Sequence, residues 1–430
     1  MSIIKKAWKS KFGKDVVITS VGQFVILLVA LGINKILSIE LGPVGFAEYS
    51  IAKRAAAVFG FIMIAGLGIA IPKYLSKLDQ ENDRLNKSRY IIVSMSIMFI
   101  LSFITLIIVI FFNEILALML FGDRSHSHYI FAILSYALSI TFTTFVFSYY
   151  RGLDKFVMYS TSQIFVQLSS LFVAIIVNSS VISFLYSSSI ITGAYGLYMC
   201  IRLWRIHYIF AKIKSFNQIR PIFTELLFFC LPRIPGEIVL FGFTAIPLII
   251  ISHKMSIEYS AYFAVAITIN TMIQPFFGMI GAVLLSFVSK SIVGERFGEA
   301  EAKINVLSKI YFIVGLIVVM FIEIFTPFLV NLLFSKEFEP SVPIIRIVAI
   351  AILPNIYYLL LRNPLDAMSR FPYNSINLII SFLLLNLLLI YSSSMEAFAV
   401  SFVVSYFVLG ILSFATWFIL KKKLIKSDYK

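Results

Sequence analysis

Apolar runs recur along the whole chain, separated by short polar gaps. They fall at about 17–37, 44–71, 91–112, 129–150, 156–177 and 181–204. After a longer polar gap they resume at about 226–251, 260–287, 309–334, 342–362, 373–391 and 397–420. Each is close to the roughly 20 residues a helix needs to cross a bilayer. Most carry more apolar side chains than one helix face can hold, so lipid on one side and protein on the other is their natural setting. The pattern predicts an all-α integral membrane protein of twelve transmembrane helices. The gaps leave no room for an extramembrane catalytic domain.

Composition agrees. Of 430 residues, 60% are hydrophobic and 13% charged, against roughly 45–50% and about 25% in soluble domains. Two cysteines, Cys200 and Cys230, exclude a disulfide framework or a cysteine-rich metal site. Lys5, Lys6, Lys9, Lys11 and Lys14 precede the first run like the head of a signal peptide. That run is long, with no clean small-x-small cleavage signal, so it reads as a retained span.

The net charge of +15 is explained by position. Basic residues sit in the gaps rather than in one long stripe, which argues against nucleic acid and for an anionic membrane surface. With the N-terminus inside, 28 Lys and Arg fall in inner segments and three, Arg124, Lys254 and Lys336, in outer loops. The bias predicts cytoplasmic termini and an even number of spans.

A shift of 213 residues places Tyr49 on Tyr262, Gly68 on Gly281, Ser76-Lys77 on Ser289-Lys290 and Leu120-Phe121 on Leu333-Phe334. Duplication predicts two parallel six-helix lobes, residues 1–215 and 216–430, related by an axis along the membrane normal. A cavity between such lobes suits alternating access. Pro43 and Pro72 are expected at helix ends. Eleven prolines follow in the second half, including Pro232, Pro235, Pro247, Pro275 and Pro354 inside expected spans. Proline kinks helices, so the sharper bends are expected there, above all in span seven.

Ionisable groups inside hydrocarbon usually face a cavity or a partner. Lys53 and Arg54 lie about 15 Å into span two at 1.5 Å per residue. They suit an anionic substrate group, or a structural ion pair using Glu48. Lys35 sits near the outer end of span one, where snorkelling competes with a binding role. Arg233 and Glu237, four apart in span seven, either neutralise each other or exchange partners during transport. Glu323 and Arg346 are further gating or ion-coupling candidates whose helices could pair them. Gln163, Gln167 and Ser170 share a face of span five, and Asn270 and Gln274 a face of span eight. Such residues bind sugar hydroxyls or hold helices together equally well. There is no GxxxxGK[ST], HExxH or GxSxG, so no nucleotide-hydrolysing, metalloprotease or hydrolase chemistry is indicated. His126 and His128 read as solvated loop residues, with no metal site.

The junction Lys35-Ile36-Leu37-Ser38-Ile39-Glu40-Leu41-Gly42-Pro43-Val44-Gly45-Phe46-Ala47-Glu48-Tyr49 resembles that between the first two spans of bacterial polysaccharide flippases of the O-antigen type. Gly66-Leu67-Gly68-Ile69-Ala70 and Arg151-Gly152-Leu153-Asp154-Lys155-Phe156 resemble later segments of that family. The chain departs from its usual pattern at Ile39 and at Phe46-Ala47-Glu48. The resemblance implies the multidrug, oligosaccharidyl-lipid and polysaccharide exporter superfamily, with two six-helix lobes in the bacterial inner membrane. It implies translocation of an undecaprenyl-diphosphate-linked oligosaccharide in O-antigen and lipopolysaccharide biosynthesis. Lys53 and Arg54 match the cations expected to meet the diphosphate. Membrane lipids and polysaccharide assembly proteins are the implied partners. No cofactor is implied, and a proton or sodium gradient is left open as the energy source. A multidrug or small-molecule exporter is the first alternative. A membrane glycan polymerase or acyltransferase is the second, although no external gap here exceeds about twenty residues.

Overall fold

The computed structural model describes residues 11–177, 179–275, 277, 288, 297–369 and 371–428. Every regular element among them is helical. The repeat positions Gly281, Ser289 and Lys290 lie outside the described residues. Nine described helices are long and apolar enough to cross a bilayer, or ten if Lys336–Ala349 and Ile352–Asp366, bent by 50°, form one span. The chain is a multi-pass membrane protein. It divides into two compact units, Met1–Phe241 and Gly242–Lys430.

In the first unit, α1 (Lys11–Ile64) is two helices joined across Gly42, whose φ of 64° and ψ of −175° interrupt the helical backbone. That region is essentially reserved for glycine. Pro43 then restarts the helix, where its missing N–H costs least. The expected run 44–71 ends early. Ala65 (φ 44°) and Gly66 (φ 75°) are left-handed, and two such residues in succession break the right-handed ladder. The chain resumes as α2 (Leu67–Gln80), so Pro72 is inside a helix rather than at its end. Leu67, Ala70, Ile71, Leu75 and Leu78 of α2 are buried, the spacing of one apolar face.

Asp83 caps α3 (Arg84–Phe111), its carboxylate accepting from the Asn86 amide at 3.0 Å and from Asn86 Nδ2 at 2.7 Å. These bonds favour the ionised form and hold the Asp83 carboxyl below its usual value. The short α4 (Asn113–Phe121) leads to α5 (Ser127–Gly152), α6 (Phe156–Ile176) and α7 (Val181–Ala211). The α5 helix packs on α1, α2 and α7. A Cβ on Gly196 of α7 would stand 2.8 Å from Phe142 Cβ and 3.0 Å from Thr143 N. Only a bare backbone permits that crossing, as at small-residue contacts in membranes. Buried hydroxyls of α5 bond back along the helix, Thr141 to Ala137 O and Thr143 to Ser139 O, both at 2.8 Å.

The run at 226–251 is not one helix. It divides into α8 (Arg220–Cys230), a 3-10 turn over Leu231–Arg233 and α9 (Ile234–Lys254). Pro232 is in that turn, whereas Pro247 lies within the continuous α9. Helix breaks therefore occur in both halves of the sequence, and at Gly42 and Ala65–Gly66 they use left-handed backbone rather than proline alone.

The second unit continues through α10 (Ile257–Thr271), α11 (Phe297–Leu333), α12 (Val342–Ala349), α13 (Ile352–Met368), α14 (Tyr373–Tyr391) and α15 (Met395–Asp428). Lys254 Nζ donates to the carbonyls of Leu389 and Ser392, each at 3.2 Å, and to that of Ile390. It thus serves the otherwise unpaired carbonyls at the end of α14, where a cation also meets the negative pole of the helix. Along α11, Ile313, Ile317, Phe321, Ile324 and Phe328 are exposed at helical spacing. A stripe of this kind belongs against lipid, not water.

Candidate functional site

The second half of α1 carries Lys53 and Arg54, both half-buried. Tyr49, one turn earlier, is buried and packs edge-on against Phe184 of α7, ring centroids 5.5 Å apart. Lys53 Nζ lies 5.4 Å from the Tyr49 ring centroid, so the ring face offsets part of its charge. Tyr136 of α5 is an electrostatic neighbour of Lys53. Arg54 Nη1 donates to Ser50 O at 3.1 Å. Among the described residues no carboxylate forms a salt bridge with either cation.

The ion pair with Glu48 does not form. Glu48 accepts from Tyr129 OH at 2.5 Å, and His126 Nε2 lies 3.6 Å from its other oxygen. His126 is thus not an ordinary solvated residue; it also stacks on Phe121, centroids 5.2 Å apart. Lys35 is half-buried on the first half of α1, where Ser38 Oγ donates to its carbonyl.

Gln163 faces α1. Gln23 Nε2 donates to Gln163 Oε1 at 3.0 Å, and Gln163 Nε2 donates to Tyr159 OH at 3.2 Å. Tyr195 OH donates to Ser162 Oγ at 2.8 Å, extending this polar seam to α7. Gln167 is half-buried further along α6. In the second unit Asn270 Nδ2 donates to Val348 O at 3.0 Å, while its buried Oδ1 has no partner among the described residues. Gln274 is half-buried just beyond α10. Glu323 and Arg346 do pair, Nε to Oε2 at 3.8 Å and Nε to the Glu323 carbonyl at 3.2 Å. Both are more than a third exposed. Arg233 is in the 3-10 turn and Glu237 in the first turn of α9, but the Arg233 side chain lies outside the described residues.

The structure also assembles a buried group that no local pattern announces. His207 of α7 meets Ser88 Oγ of α3 through Nδ1 at 3.0 Å and Tyr149 OH of α5 through Nε2 at 3.2 Å. The only signal for it in the sequence is a histidine near the end of an apolar run. Among the described residues no cluster of His, Cys, Asp or Glu is arranged to hold a metal.

The profile of a family described as "Polysaccharide biosynthesis protein" matches residues 12–292. A search of curated proteins gave no match. Among solved structures, an inward-facing multidrug resistance MATE family transporter of the MOP superfamily is similar at 16% identity. It has a TM-score of 0.68, over 96% of this chain and 99% of that one. An outward-facing structure of such a transporter is similar at 16% identity and TM-score 0.69, over 96% of each chain. A eukaryotic MATE transporter is similar at 12% identity and TM-score 0.69, over 98% of this chain and 99% of that one. The fold is that of MATE transporters.

Proposed function

The chain belongs to the polysaccharide biosynthesis protein family, and from that premise we propose that it carries an undecaprenyl-diphosphate-linked oligosaccharide across the bacterial inner membrane by alternating access. The observation that carries this reading is the pair Lys53 and Arg54, within an apolar helix and, among the described residues, without a salt bridge to any carboxylate. Charge in hydrocarbon needs compensation, and a diphosphate supplies it only while cargo is bound. The lipid tail stays in the membrane while the sugar head crosses, and no covalent step is needed. Polar residues of the α1, α6 and α7 seam suit sugar hydroxyls. A proton or sodium gradient would supply the energy.

Twelve spans in two parallel six-helix lobes, 1–215 and 216–430, suit this task. Support comes from three features. The Gly42 kink divides residues 17–64 into two stretches of membrane length, the bent pair adds a span if it is read as one, and the apolar run 260–287 is of spanning length in the sequence. The basic bias puts both termini in the cytoplasm. The test is flipping of a lipid-linked oligosaccharide by purified protein in vesicles. Lys53→Ala/Arg54→Ala should lose transport, while Lys53→Arg and Arg54→Lys retain more. A double variant transporting at the parent rate overturns the mechanism. Transport of cationic drugs in place of the glycan lipid would favour the multidrug alternative.

A further inference from the structure

The end of α7 and the whole of α8 present a surface with a chemistry of its own. Arg205, Tyr208, Ile209 and Lys212 are exposed and spaced by three, four and seven residues, which is one helix face. Ile209 is 72% exposed, and Phe216, on the turn that follows, is 61% exposed. Lys214 and Arg220 stand exposed on either side of Phe216. Among the described residues Arg205, Lys212, Lys214 and Arg220 have no salt-bridge partner. The only acid between residues 200 and 236 is Glu225, and the Tyr90 hydroxyl already donates to it.

This surface is fastened rather than loose. Lys212 ends α7 in the left-handed conformation. Arg89 Nε donates to the Ala211 carbonyl at 3.1 Å, and the Arg84 guanidinium lies 3.6 Å from the Phe210 ring centroid. The Gln218 side-chain oxygen accepts from the Lys214 amide at 3.1 Å, closing the turn. The α8 helix buries Ile222, Leu226 and Cys230, one residue per turn, against α2 and α3. The unpaired cations and apolar side chains are therefore held out together, immediately beyond a membrane-spanning helix.

We propose that residues 205–220 form a binding surface for anionic phospholipid headgroups, the cations meeting phosphate while Ile209 and Phe216 enter the boundary between headgroups and acyl chains. Charge complementarity selects this occupant. Four unpaired cations seek anions, and exposed Ile and Phe at the end of a span seek hydrocarbon. The proposal rests on the chain's being a membrane protein, not on the identity of its cargo, and a lipid-binding assay reads it separately from transport.

The experiment uses the full chain purified in mild detergent. Phosphatidylglycerol and phosphatidylcholine are titrated in, and retained lipid is counted by native mass spectrometry. The parent should prefer phosphatidylglycerol by at least about tenfold, a preference that shrinks as salt screens it. Lys212→Gln/Lys214→Gln/Arg220→Gln should lose most of that preference. The same number of charges removed at Lys77, Lys309 and Lys422 should leave it in place. Ile209→Ser/Phe216→Ser should weaken retention of phosphatidylglycerol without abolishing the salt dependence. Equal retention of the two lipids by the parent overturns the proposal, as does equal loss in the two charge variants. Binding of an acidic peptide to this surface without any lipid preference assigns it to a protein partner and overturns the proposal too.

Discussion

The cations Lys53 and Arg54 of the first unit and three cations of the second unit are treated differently. In the second, Arg346 pairs with Glu323, Lys421 with Glu301 at 2.7 Å, and Lys254 is spent on the carbonyls that end α14. In the first, among the described residues, Lys53 and Arg54 meet a ring face, the neighbouring Tyr136 and a backbone carbonyl and form no salt bridge, although a carboxylate, Glu48, is on the same helix. Glu48 is taken by Tyr129 and His126. The difference teaches where an anionic cargo gains most. A neutralised cation offers a ligand little, whereas a cation without a carboxylate keeps its attraction in a low-dielectric setting.

The sharpest way to break this contrast is to remove the cations. Lys53→Ala/Arg54→Ala should lower lipid-linked glycan flipping by about 10- to 100-fold, the equivalent of losing a hydrogen bond to a charged group. Arg346→Ala should leave the flipping rate within about fivefold, since an exposed pair contributes at most about 1 kcal/mol. If both variants lost transport equally, the distinction between the units would fail.

Backbone and capping effects come next. Gly42→Ala forces a side chain into a conformation that costs about 1–3 kcal/mol, so thermal unfolding in detergent should shift down clearly. An unchanged midpoint would mean that α1 straightens without loss. Lys254→Met should destabilise by about 1–2 kcal/mol, from carbonyls left unpaired and a lost interaction with the helix end. Faster amide exchange over the last turn of α14 would separate this local effect from general damage.

The smallest effect concerns acid. The folded Asp83 carboxyl is held below its unfolded value by hydrogen bonds from Asn86. Its contribution is therefore complete above the unfolded value, near 3.9, and is lost as pH falls through the lower folded value. Asp83→Asn should flatten the acid limb of a stability–pH curve. Parallel curves for parent and variant would remove the cap from the account.

Much of the helix plan is legible in the sequence because hydrophobic pattern is local. The junction at Gly42-Pro43 is legible for the same reason, since each residue type brings its own backbone preference. The break at Ala65–Gly66 is less so, because an alanine gives no warning of a left-handed backbone; packing holds it there. Arg151 Nη2 donates to the Gly68 carbonyl at 2.6 Å just beyond that break, from a helix distant in sequence. Run 226–251 misleads because α8 and the start of α9 are both apolar, and only the 3-10 turn between them separates the two.

Composition and pattern by themselves determined that this chain lives in a bilayer, that its elements are helices, and that two adjacent cations, Lys53 and Arg54, stand within an apolar stretch. Those properties follow from single residues and their near neighbours. Only tertiary structure decided the partners. Gln163 took Gln23, Asn270 took the Val348 carbonyl, and His207 took Ser88 and Tyr149. A polar side chain in hydrocarbon must find a partner, but which one depends on the helix face that happens to stand opposite. No periodicity within one span records that choice, and so Glu48, the natural mate for Lys53 and Arg54 in one dimension, stands with Tyr129 and His126 in three.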